Sequence, residues 1–340
     1  MELIELGMNH WFTDQASGLC GPEQRIARVI AVDRGQCIIR NEHGEAPAKA
    51  TNKFMGTTKS TKDMPCVGDW VCVNYNNSDN SANIHTVLPR KSFLRRKATG
   101  KSRTFQMIAA NIDMVFIIQS CHKDFNVSRL ERYLVMANEG HVEPLLVLSK
   151  TDLVNAEQLE KLISEIHAAG ITIRIVALSN LTGSGIDQIR ESIVFGKTYC
   201  LVGSSGVGKS TLINQLTGQN TLETGTVSTS GEGRHTTVRR QLIVLEQGGM
   251  IIDTPGMREV GVMVVSEGMA HNFKDINEIS SGCRFTDCSH TNEPECAVLK
   301  AIQNGTLQQK HYQNYLKLKT ESAFNKMAFN DKRKKKENEN

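Results

Sequence analysis

Short segments in the first third of the chain alternate apolar with polar residues or cluster β-branched residues. Four of them cover residues 28–32, 36–40, 69–73 and 84–88, and glycines and asparagines separate them. Alternation with a period of two between turn residues predicts β-strands. Several short strands between residues 20 and 97 favour a small β-barrel, for which an OB-type barrel is the natural candidate. The periodicity alone does not distinguish that barrel from an SH3-like one.

From about residue 104 to 265 the pattern changes to near-continuous apolar runs that alternate with amphipathic segments. Such runs are typical of buried parallel strands, and they cover residues 112–118, 142–148, 171–178, 199–202, 242–245 and 250–252. Helices are predicted between them at residues 130–138 and 155–169, where apolar side chains share one face. Asn155 and Gln158 form a capping-box pattern, and Gly170 ends the second helix. Alternating strands and helices predict a doubly wound α/β sheet.

The last part of the chain contains a cluster of cysteine and histidine, followed by two predicted helices at residues 294–304 and 307–327. Pro294 starts the first helix, and Gly305 follows its end. We therefore predict a multidomain α/β protein with three parts. An OB-type β-barrel with an N-terminal extension and a basic linker covers residues 1–97, a doubly wound α/β domain covers 98–267, and a helical domain with the cysteine cluster covers 268–340.

Composition changes this picture little but excludes some classes of protein. Apolar residues make up 39% and charged residues 22% of the 340 residues, as in a soluble globular protein. No apolar run approaches the roughly 18 residues of a membrane-spanning helix, and the first residues lack the basic-then-apolar pattern of a signal peptide. We therefore expect a cytoplasmic monomer without membrane contact, in which the nine cysteines are reduced thiols.

Positive charge is concentrated in two places. Residues 332–336 are all basic, and seven more basic residues lie close together, namely Arg90, Lys91, Arg95, Arg96, Lys97, Lys101 and Arg103. Clusters of this kind suit a polyphosphate partner such as RNA. A solvated linker and an unstructured tail would carry the same charges, so the clusters alone do not decide between these interpretations.

A glycine-rich loop follows the apolar run at residues 199–202. Its sequence, GSSGVGKS, is a complete phosphate-binding loop between a predicted strand and a predicted helix. Glycines allow backbone N–H groups to surround phosphate oxygens, and the following helix directs its N-terminus at the same anion. Lys209 is expected to reach the β- and γ-phosphates, and the Ser210 hydroxyl to bind Mg²⁺. The predicted nucleotide-binding residues here are Gly203, Ser204, Ser205, Gly206, Val207, Gly208, Lys209, Ser210 and Thr211.

A second motif, Ser149-Lys150-Thr151-Asp152, lies at the end of an apolar run and predicts which nucleobase the protein binds. It resembles the Asn-Lys-x-Asp motif of GTPases, in which the aspartate accepts two hydrogen bonds from guanine, whereas adenine presents the wrong edge. Lys150 would lie along the plane of the base. Because serine is shorter than the usual asparagine, we expect position 149 to lose a tie to the phosphate loop. Downstream, the backbone N–H of Ala177 is the predicted partner of the guanine oxygen.

A third motif, Asp253-Thr-Pro-Gly256, follows another apolar run and matches the Asp-x-x-Gly motif of GTPases. The aspartate of that motif holds Mg²⁺ through water, and the N–H of the glycine meets the γ-phosphate. A His-Thr-Thr segment at residues 235–237 precedes it and is expected to supply the threonine of the first switch that binds Mg²⁺. The sequence does not distinguish Thr236 from Thr237 in this role.

Catalysis of hydrolysis requires a group that orients the attacking water. Many GTPases use a glutamine just after Asp-x-x-Gly, but Met257 occupies that place and offers no hydrogen bond. The nearest polar candidate in the first switch is His235. The predicted catalytic residues are therefore His235, Lys209, Thr236, Thr237, Asp253 and Gly256.

The order of these motifs is informative. The base-reading motif at residues 149–152 precedes the phosphate loop at 203–210, whereas in ordinary GTPases the phosphate loop comes first. A parallel sheet can be cut at an exposed loop while its strands keep their neighbours. The sequence therefore predicts a circularly permuted GTPase domain.

Four potential metal ligands lie within the fourteen residues 283–296. They are Cys283, Cys288, His290 and Cys296, a Cys₃His set that suits one structural Zn²⁺ with tetrahedral coordination. Since all four ligands come from the protein, no position is left for catalysis. The other six cysteines lie in or beside apolar runs, and we expect them in the core.

The permuted order, with a β-barrel before it and a Cys₃His cluster after it, resembles the bacterial family of small-ribosomal-subunit-dependent GTPases called RsgA or YjeQ. The likeness covers roughly residues 20 to 320. It includes Arg90, Ser92 and Arg95, the segments at 110–113 and 129–134, and the Gly-x-x-x-His-Thr-Thr segment that ends at Thr237. The resemblance implies an OB barrel, a permuted GTPase domain and a zinc domain. It also implies late maturation of the small ribosomal subunit, contact with its rRNA, and GTP hydrolysis that the subunit stimulates before the factor dissociates.

Two other functions are compatible with parts of the sequence. A P-loop ATPase or kinase would use the same phosphate loop but would leave Asp152 without a role. A zinc-stabilised RNA-binding protein with a degenerate nucleotide site would need neither Lys209 nor Asp253, and both are intact. We therefore predict an enzyme that binds GTP and GDP with Mg²⁺ and converts GTP and water into GDP and phosphate.

Overall fold

Five strands form a closed barrel in the N-terminal part of this computed structural model, which describes residues 2–33, 36–58, 60–76, 80–97, 105–122, 124–218, 240–254 and 266–337. The strands are β1 (Arg25–Asp33), β2 (Gln36–Asn41), β3 (Gly44–Ala50), β4 (Trp70–Tyr75) and β5 (Ala82–Val87). Their order is β1–β2–β3–β5–β4, and β4 closes the barrel by pairing with β1. This closure confirms the OB-type barrel. Strand β3 was not predicted, because its buried positions carry only alanines and lack the β-branched residues that indicate a strand.

A helix precedes the barrel and packs on its outside. Helix α1 (His10–Leu19) buries Phe12 against Trp70 of β4, with ring centroids 5.9 Å apart. Directly after α1, Cys20 forms a disulfide with Cys72. The expectation of nine reduced thiols is therefore wrong for this pair, since the packing of α1 brings the two sulfurs together. The four remaining cysteines predicted in the core are all buried, namely Cys37, Cys66, Cys121 and Cys200.

The segment that leaves the barrel forms a hairpin. A short helix α2 (Asn52–Thr57) lies between β3 and β4, and the hairpin consists of β6 (Phe93–Lys97) and β7 (Phe105–Ala110). The proposed domain boundary at residue 97 falls inside this hairpin.

A second set of strands continues the sheet beyond the barrel. It consists of β8 (Met114–Ser120), β9 (Glu143–Ser149), β10 (Ile175–Ala177), β11 (Thr198–Gly203), β12 (Arg240–Val244) and β13 (Met250–Asp253). Their order is β10–β9–β8–β11–β13–β12, and all pairs are parallel except β13 with β12. The apolar run at residues 171–178 forms a strand only near its end, at β10, and Ile171 and Ile173 pack in the core before that strand begins.

Helices cover both faces of this sheet, as predicted for a doubly wound fold. Helices α3 (Val127–Glu139) and α4 (Ala156–Ala168) pack on one face, while α5 (Ile186–Glu191) and α6 (Lys209–Thr217) pack on the other. The capping box predicted for α4 is present, with Asn155 and Gln158 hydrogen-bonded in both directions.

The barrel and the sheet are joined through β1. Its end pairs with β12, in the register Ala31 to Gln241. Arg28 of β1 is buried at the joint, where its guanidinium donates to the Thr198 hydroxyl at 2.9 Å and to the Asn111 carbonyl at 3.2 Å. Burial lowers the pKa of Arg28 to about 10, although Asp113 and Asp69 act in the opposite direction. The guanidinium remains charged at neutral pH and is satisfied by these acceptors.

Four helices form the C-terminal part of the described chain, namely α7 (Ser266–Asn272), α8 (Lys274–Ser280), α9 (Ala297–Gln303) and α10 (Gln309–Glu337). Helix α9 begins after Cys296 rather than at Pro294, because the cysteine cluster holds the preceding residues in a loop. Helix α10 is longer than predicted and extends through the basic run at residues 332–336.

The C-terminal helices pack directly on α3. A Cβ at Gly268 of α7 would lie 2.4 Å from the Val135 carbonyl, so the close approach of the two helices requires glycine. Arg132 of α3 donates to both carboxylate oxygens of Glu321, at 2.8 and 2.9 Å. Within the part of the chain that the structure describes, no helix is both long and apolar enough to span a membrane.

Candidate nucleotide and metal sites

The predicted nucleotide-binding motifs meet at one edge of the sheet. The phosphate loop follows β11, the base-reading motif follows β9, and Asp253 ends β13. Because these strands are parallel, their carboxyl ends lie at the same edge, which is where open α/β sheets bind ligands. Strand β8 separates β11 from β9, so a nucleotide bound there would extend across the end of β8.

The phosphate loop has a backbone conformation that glycine adopts readily and other residues do not. Gly208 has φ of 100°, and a Cβ there would lie 2.5 Å from the Asn180 amide nitrogen. Lys209 begins α6, and its Nζ donates to the carbonyls of Gly203 at 2.8 Å and Ser204 at 2.6 Å. Burial lowers the pKa of Lys209 to about 8, despite the attraction of Asp253. The lysine therefore lies inside the loop, where an anionic ligand would favour its charged form.

Asp253 lies close enough to Lys209 for the two side chains to interact electrostatically. It is buried at the end of β13, and this burial raises the pKa of its carboxyl group, with Lys209 acting in the opposite direction. Thr254 follows and donates its hydroxyl proton to the Leu201 carbonyl at 2.6 Å, which ties β13 to the strand of the phosphate loop. The other predicted catalytic residues, His235, Thr236, Thr237 and Gly256, lie outside the described residues.

Ser149 keeps the tie to the phosphate loop that we expected it to lose. Its hydroxyl is fully buried and lies 2.7 Å from the carbonyl oxygen of Val207, to which it donates. Serine is long enough because β9 ends close beneath the loop. The next residue, Lys150, has φ of 60°, a left-handed conformation that is rare for residues other than glycine. Thr151 then donates its N–H to the Leu178 carbonyl.

Asp152 contacts a residue that the sequence analysis missed. The Ser179 hydroxyl donates to the Asp152 carboxylate at 2.5 Å, whereas Ala177 pairs with Leu148 inside the sheet. The Ser179 backbone N–H donates to the Ser184 carbonyl and is therefore not available to a ligand. The next backbone N–H in the loop after β10 belongs to Asn180. A usable signal was present, since Ser179 and Asn180 are the first polar residues after an apolar run.

The predicted metal ligands come together in the loop between α8 and α9. The ligand atoms of Cys283, Cys288, His290 and Cys296 all lie within 4.8 Å of one another. His290 Nδ1 is 3.5 Å from the sulfurs of both Cys283 and Cys296, and those two sulfurs are 3.9 Å apart. Tetrahedral bonds of about 2.3 Å to sulfur and 2.0–2.1 Å to nitrogen require separations of roughly 3.8 Å and 3.6 Å. The cluster therefore fits one metal ion.

The environment of the cluster favours the ligand forms of Cys283 and His290, whereas burial raises the pKa of the Cys288 thiol to about 11. Burial would raise the pKa of the Cys283 thiol, but the N–H groups of Ala297 and Val298 and the neighbouring thiols lower it. Burial also lowers the pKa of His290, which keeps the imidazole neutral. Metal binding requires a thiolate and a neutral imidazole. Tyr312 of α10 donates its hydroxyl proton to the His290 carbonyl and so connects the loop to the long helix.

The basic linker is only partly available to a partner. Arg90 donates two hydrogen bonds of 2.7 Å to the buried carboxylate of Asp69. Arg95 pairs with Glu139 of α3 and stacks over Phe105, with its guanidinium carbon 4.1 Å from the ring centroid. Arg96 makes a side-chain hydrogen bond to the neutral Gln106. Lys101, Arg103 and the side chain of Lys97 lie outside the part of the chain that the structure describes.

The fold and the site define a P-loop protein of the GTPase class in which the base-reading strands precede the phosphate-loop strand along the chain. The chain belongs to the RsgA GTPase family, whose model matches residues 87–263. It is 38% identical over 332 residues to the small ribosomal subunit biogenesis GTPase RsgA 2 of Vibrio vulnificus, covering 97% of this chain and 91% of that protein. The protein of the same name from Lactiplantibacillus plantarum is 39% identical over 302 residues, covering 88% and 84% respectively.

Solved structures agree with this assignment. YjeQ from Thermotoga maritima matches with a TM-score of 0.65 and 28% identity, covering 88% of this chain and 99% of that one. YloQ, described as a circularly permuted GTPase, matches with a TM-score of 0.59 and covers 89% of this chain and 96% of its own. At 22% identity the second match supports the fold alone.

Proposed function

We propose that this protein is a GTPase that binds the small ribosomal subunit, acts in its late maturation and dissociates after hydrolysing GTP. The observation that carries the proposal is the meeting of an intact phosphate loop with Asp152 at one edge of the sheet. Relatives that cover most of the chain carry the name of small ribosomal subunit biogenesis GTPases. A cytoplasmic monomer without membrane contact is the simplest form for such a factor.

The phosphate loop would bind the triphosphate through its backbone N–H groups. The residues that would line the phosphates are Gly203, Ser204, Ser205, Gly206, Val207, Gly208, Lys209, Ser210 and Thr211. Lys209 would exchange its carbonyl partners for the β- and γ-phosphate oxygens, and the anion would restore the charge that burial disfavours. The Gly256 N–H would meet the γ-phosphate in the same complex.

The donors available beside the loop fit Mg²⁺, which prefers oxygen ligands. Ser210, at the start of α6, would bind the ion directly, and Asp253 would hold it through water. The first-switch ligand would be Thr236 or Thr237. The ion would neutralise charge that develops on the β- and γ-phosphates. The buried Asp253 supports this role, because a raised carboxyl pKa falls again when a cation arrives.

Guanine would be recognised by the loops after β9 and β10. Asp152 would accept two hydrogen bonds from the base while Ser179 fixes the orientation of its carboxylate. Lys150 would lie along the base plane. We assign the N–H that meets the guanine oxygen to Asn180 rather than to Ala177, because Ala177 still lies within β10 whereas Asn180 lies in the loop beyond its end. An ATPase or kinase would have no use for this pair of carboxylate and hydroxyl.

The metal cluster would hold one structural Zn²⁺. Three thiolates and one imidazole are the soft donors that zinc prefers, and the four leave no open position. The barrel would contact the phosphates of rRNA, as expected for an OB-type barrel beside positive charge. In the basic linker the same contact would fall to Arg96, whose charge no carboxylate among the described residues neutralises, unlike those of Arg90 and Arg95.

The decisive experiment measures GTP turnover by the full-length protein with and without purified small ribosomal subunits. We expect slow hydrolysis by the protein alone, clear stimulation by subunits, and no use of ATP. Lys209→Ala serves as the control for contaminating enzymes. Subunit binding without any GTP turnover would instead support the zinc-stabilised RNA-binding protein, and equal use of ATP would support the ATPase.

A further inference from the structure

The side chain of Asn180 connects the loop after β10 to the phosphate loop. Its Nδ2 atom donates to the carbonyl oxygen of Gly208 at 3.0 Å. Because a carbonyl oxygen only accepts hydrogen bonds, this contact fixes which end of the amide faces the loop. The space that the amide occupies exists because residue 208 is glycine.

The main chain of Asn180 makes a second contact with the same region. Gln215 of α6 donates its side-chain amide to the Asn180 carbonyl at 2.7 Å. Helix α6 begins at Lys209, directly after Gly208. Asn180 is therefore held against both the phosphate loop and the helix that follows it.

Ser149 makes the corresponding contact from the end of β9, where the other base-reading motif begins. Its hydroxyl donates to the carbonyl of Val207, the neighbour of Gly208. Two consecutive carbonyls of the phosphate loop are thus held by one side chain each, one from the end of β9 and one from the loop after β10. In the loops that follow these two strands, Ser179 donates to Asp152, so the carboxylate and the phosphate loop are linked through adjacent residues.

We propose that Asn180 is a positioning residue of the nucleotide site and shares with Ser149 the connection that the usual asparagine makes alone. The inference rests on the proposed GTP site. Base and phosphates are bound by separate loops, so affinity depends on the distance between those loops being set before the nucleotide arrives. The Ser149 hydroxyl has a single proton to donate, and the Val207 carbonyl at 2.7 Å is a closer acceptor than the Gln119 carbonyl at 3.3 Å. Asn180 supplies the second donor.

The first test is Asn180→Ala in the full-length protein, with GTP affinity measured by a fluorescent GTP analogue. Loss of this half-buried connection should weaken GTP binding about tenfold. Hydrogen exchange of the peptide spanning residues 203–212 should accelerate in the free protein, while the midpoint of thermal unfolding changes little. Asn155→Ala is the matched control, since it removes an amide of the same kind whose hydrogen bond caps α4 through the Gln158 N–H rather than joining the phosphate loop. It should lower stability and leave GTP affinity unchanged.

The second test asks whether the two residues share one role. Ser149→Asn, added to Asn180→Ala, should recover most of the lost GTP affinity because the longer amide restores a second donor. Asn180→Asp keeps the shape but turns an acceptor towards the Gly208 carbonyl, so it should weaken GTP binding at least as much as alanine.

Three results would overturn the inference: unchanged GTP affinity in Asn180→Ala, unchanged affinity in Asn180→Asp, or no recovery in the double variant. Failure of the unmodified protein to bind GTP would overturn the proposed function instead, so the two failures are distinguishable.

Discussion

His311 of α10 donates a hydrogen bond to the carboxylate of Glu131 on α3, and both side chains are almost completely buried. Asn314 donates to the same carboxylate, and the other nitrogen of the His311 ring lies 3.3 Å from Asp275. A buried carboxylate without partners would be strongly destabilising. The C-terminal helices therefore depend on this cluster for their position on the sheet domain.

The His311 cluster predicts a loss of stability at alkaline pH. Burial alone would lower the pKa of His311, but Asp275 and Glu131 outweigh it and raise the pKa to about 9. Since the folded pKa exceeds the unfolded value of about 6.5, the contribution is complete below that value and is lost as pH rises through about 9. Denaturant unfolding between pH 6 and 10 should show this decline.

His311→Asn isolates the effect from other titrating groups. The variant should be less stable at pH 7 and should lose the part of the alkaline decline that the histidine contributes. An identical pH dependence in both proteins would show that His311 is not the titrating group.

The second prediction concerns the choice of base. Asp152→Asn should weaken GTP binding on the order of 100-fold, because two hydrogen bonds to a charged acceptor are lost. The variant should favour xanthine nucleotides, whose exocyclic oxygen suits an amide donor. Ser179→Ala keeps the carboxylate but removes the hydroxyl that orients it, and should cost less. Equal affinity of the unmodified protein for ATP and GTP would contradict the guanine assignment.

The sequence predicted the sheet and its motifs better than it predicted the contacts between motifs. Apolar runs located β8, β9, β11 and β13 because buried parallel strands must be apolar throughout. The role of Ser179 was missed because its partner, Asp152, is 27 residues away and only the folded sheet brings them together. The expectation that Ser149 would not reach the phosphate loop was wrong for the same reason. How closely β9 approaches the phosphate loop depends on tertiary packing.

The third prediction concerns the metal. The purified protein should contain one Zn²⁺ per chain, and Cys288→Ala should release it. Because thiolate–zinc bonds are part of the folding free energy, α8 to α10 should then become sensitive to proteolysis. The sheet domain should remain folded and bind GTP, although Glu131 on α3 would become exposed when the C-terminal helices no longer cover it. Elemental analysis and limited proteolysis check both parts. Zinc-free protein with a stable C-terminal region would contradict the structural role.

The fourth prediction separates RNA contacts from structural arginines in the linker. Arg96→Glu should weaken subunit binding and reduce its dependence on salt, since one phosphate contact is lost. Arg95→Glu should instead destabilise the protein, because it places a carboxylate beside the nearly buried Glu139. Lys161→Glu, an exposed residue of α4, is the control of equal charge change. Binding to the subunit is measured at several salt concentrations. If all three variants bind as the unmodified protein does, the linker makes no contact with RNA.

The last prediction concerns the water-orienting group. Position 257 is methionine, so the usual glutamine is missing and hydrolysis by the protein alone should be slow. A neutral imidazole at His235 could accept a hydrogen bond from the attacking water and so orient it once the subunit is bound. Stimulation would then come from pre-organisation rather than from a new group. His235→Ala should bind GTP and the subunit with unchanged affinity but lose most of the stimulated turnover. His235→Gln, which restores a side chain able to orient water, should retain part of it. If His235→Ala is stimulated as strongly as the unmodified protein, the histidine only packs or caps the switch, and another group must orient the water.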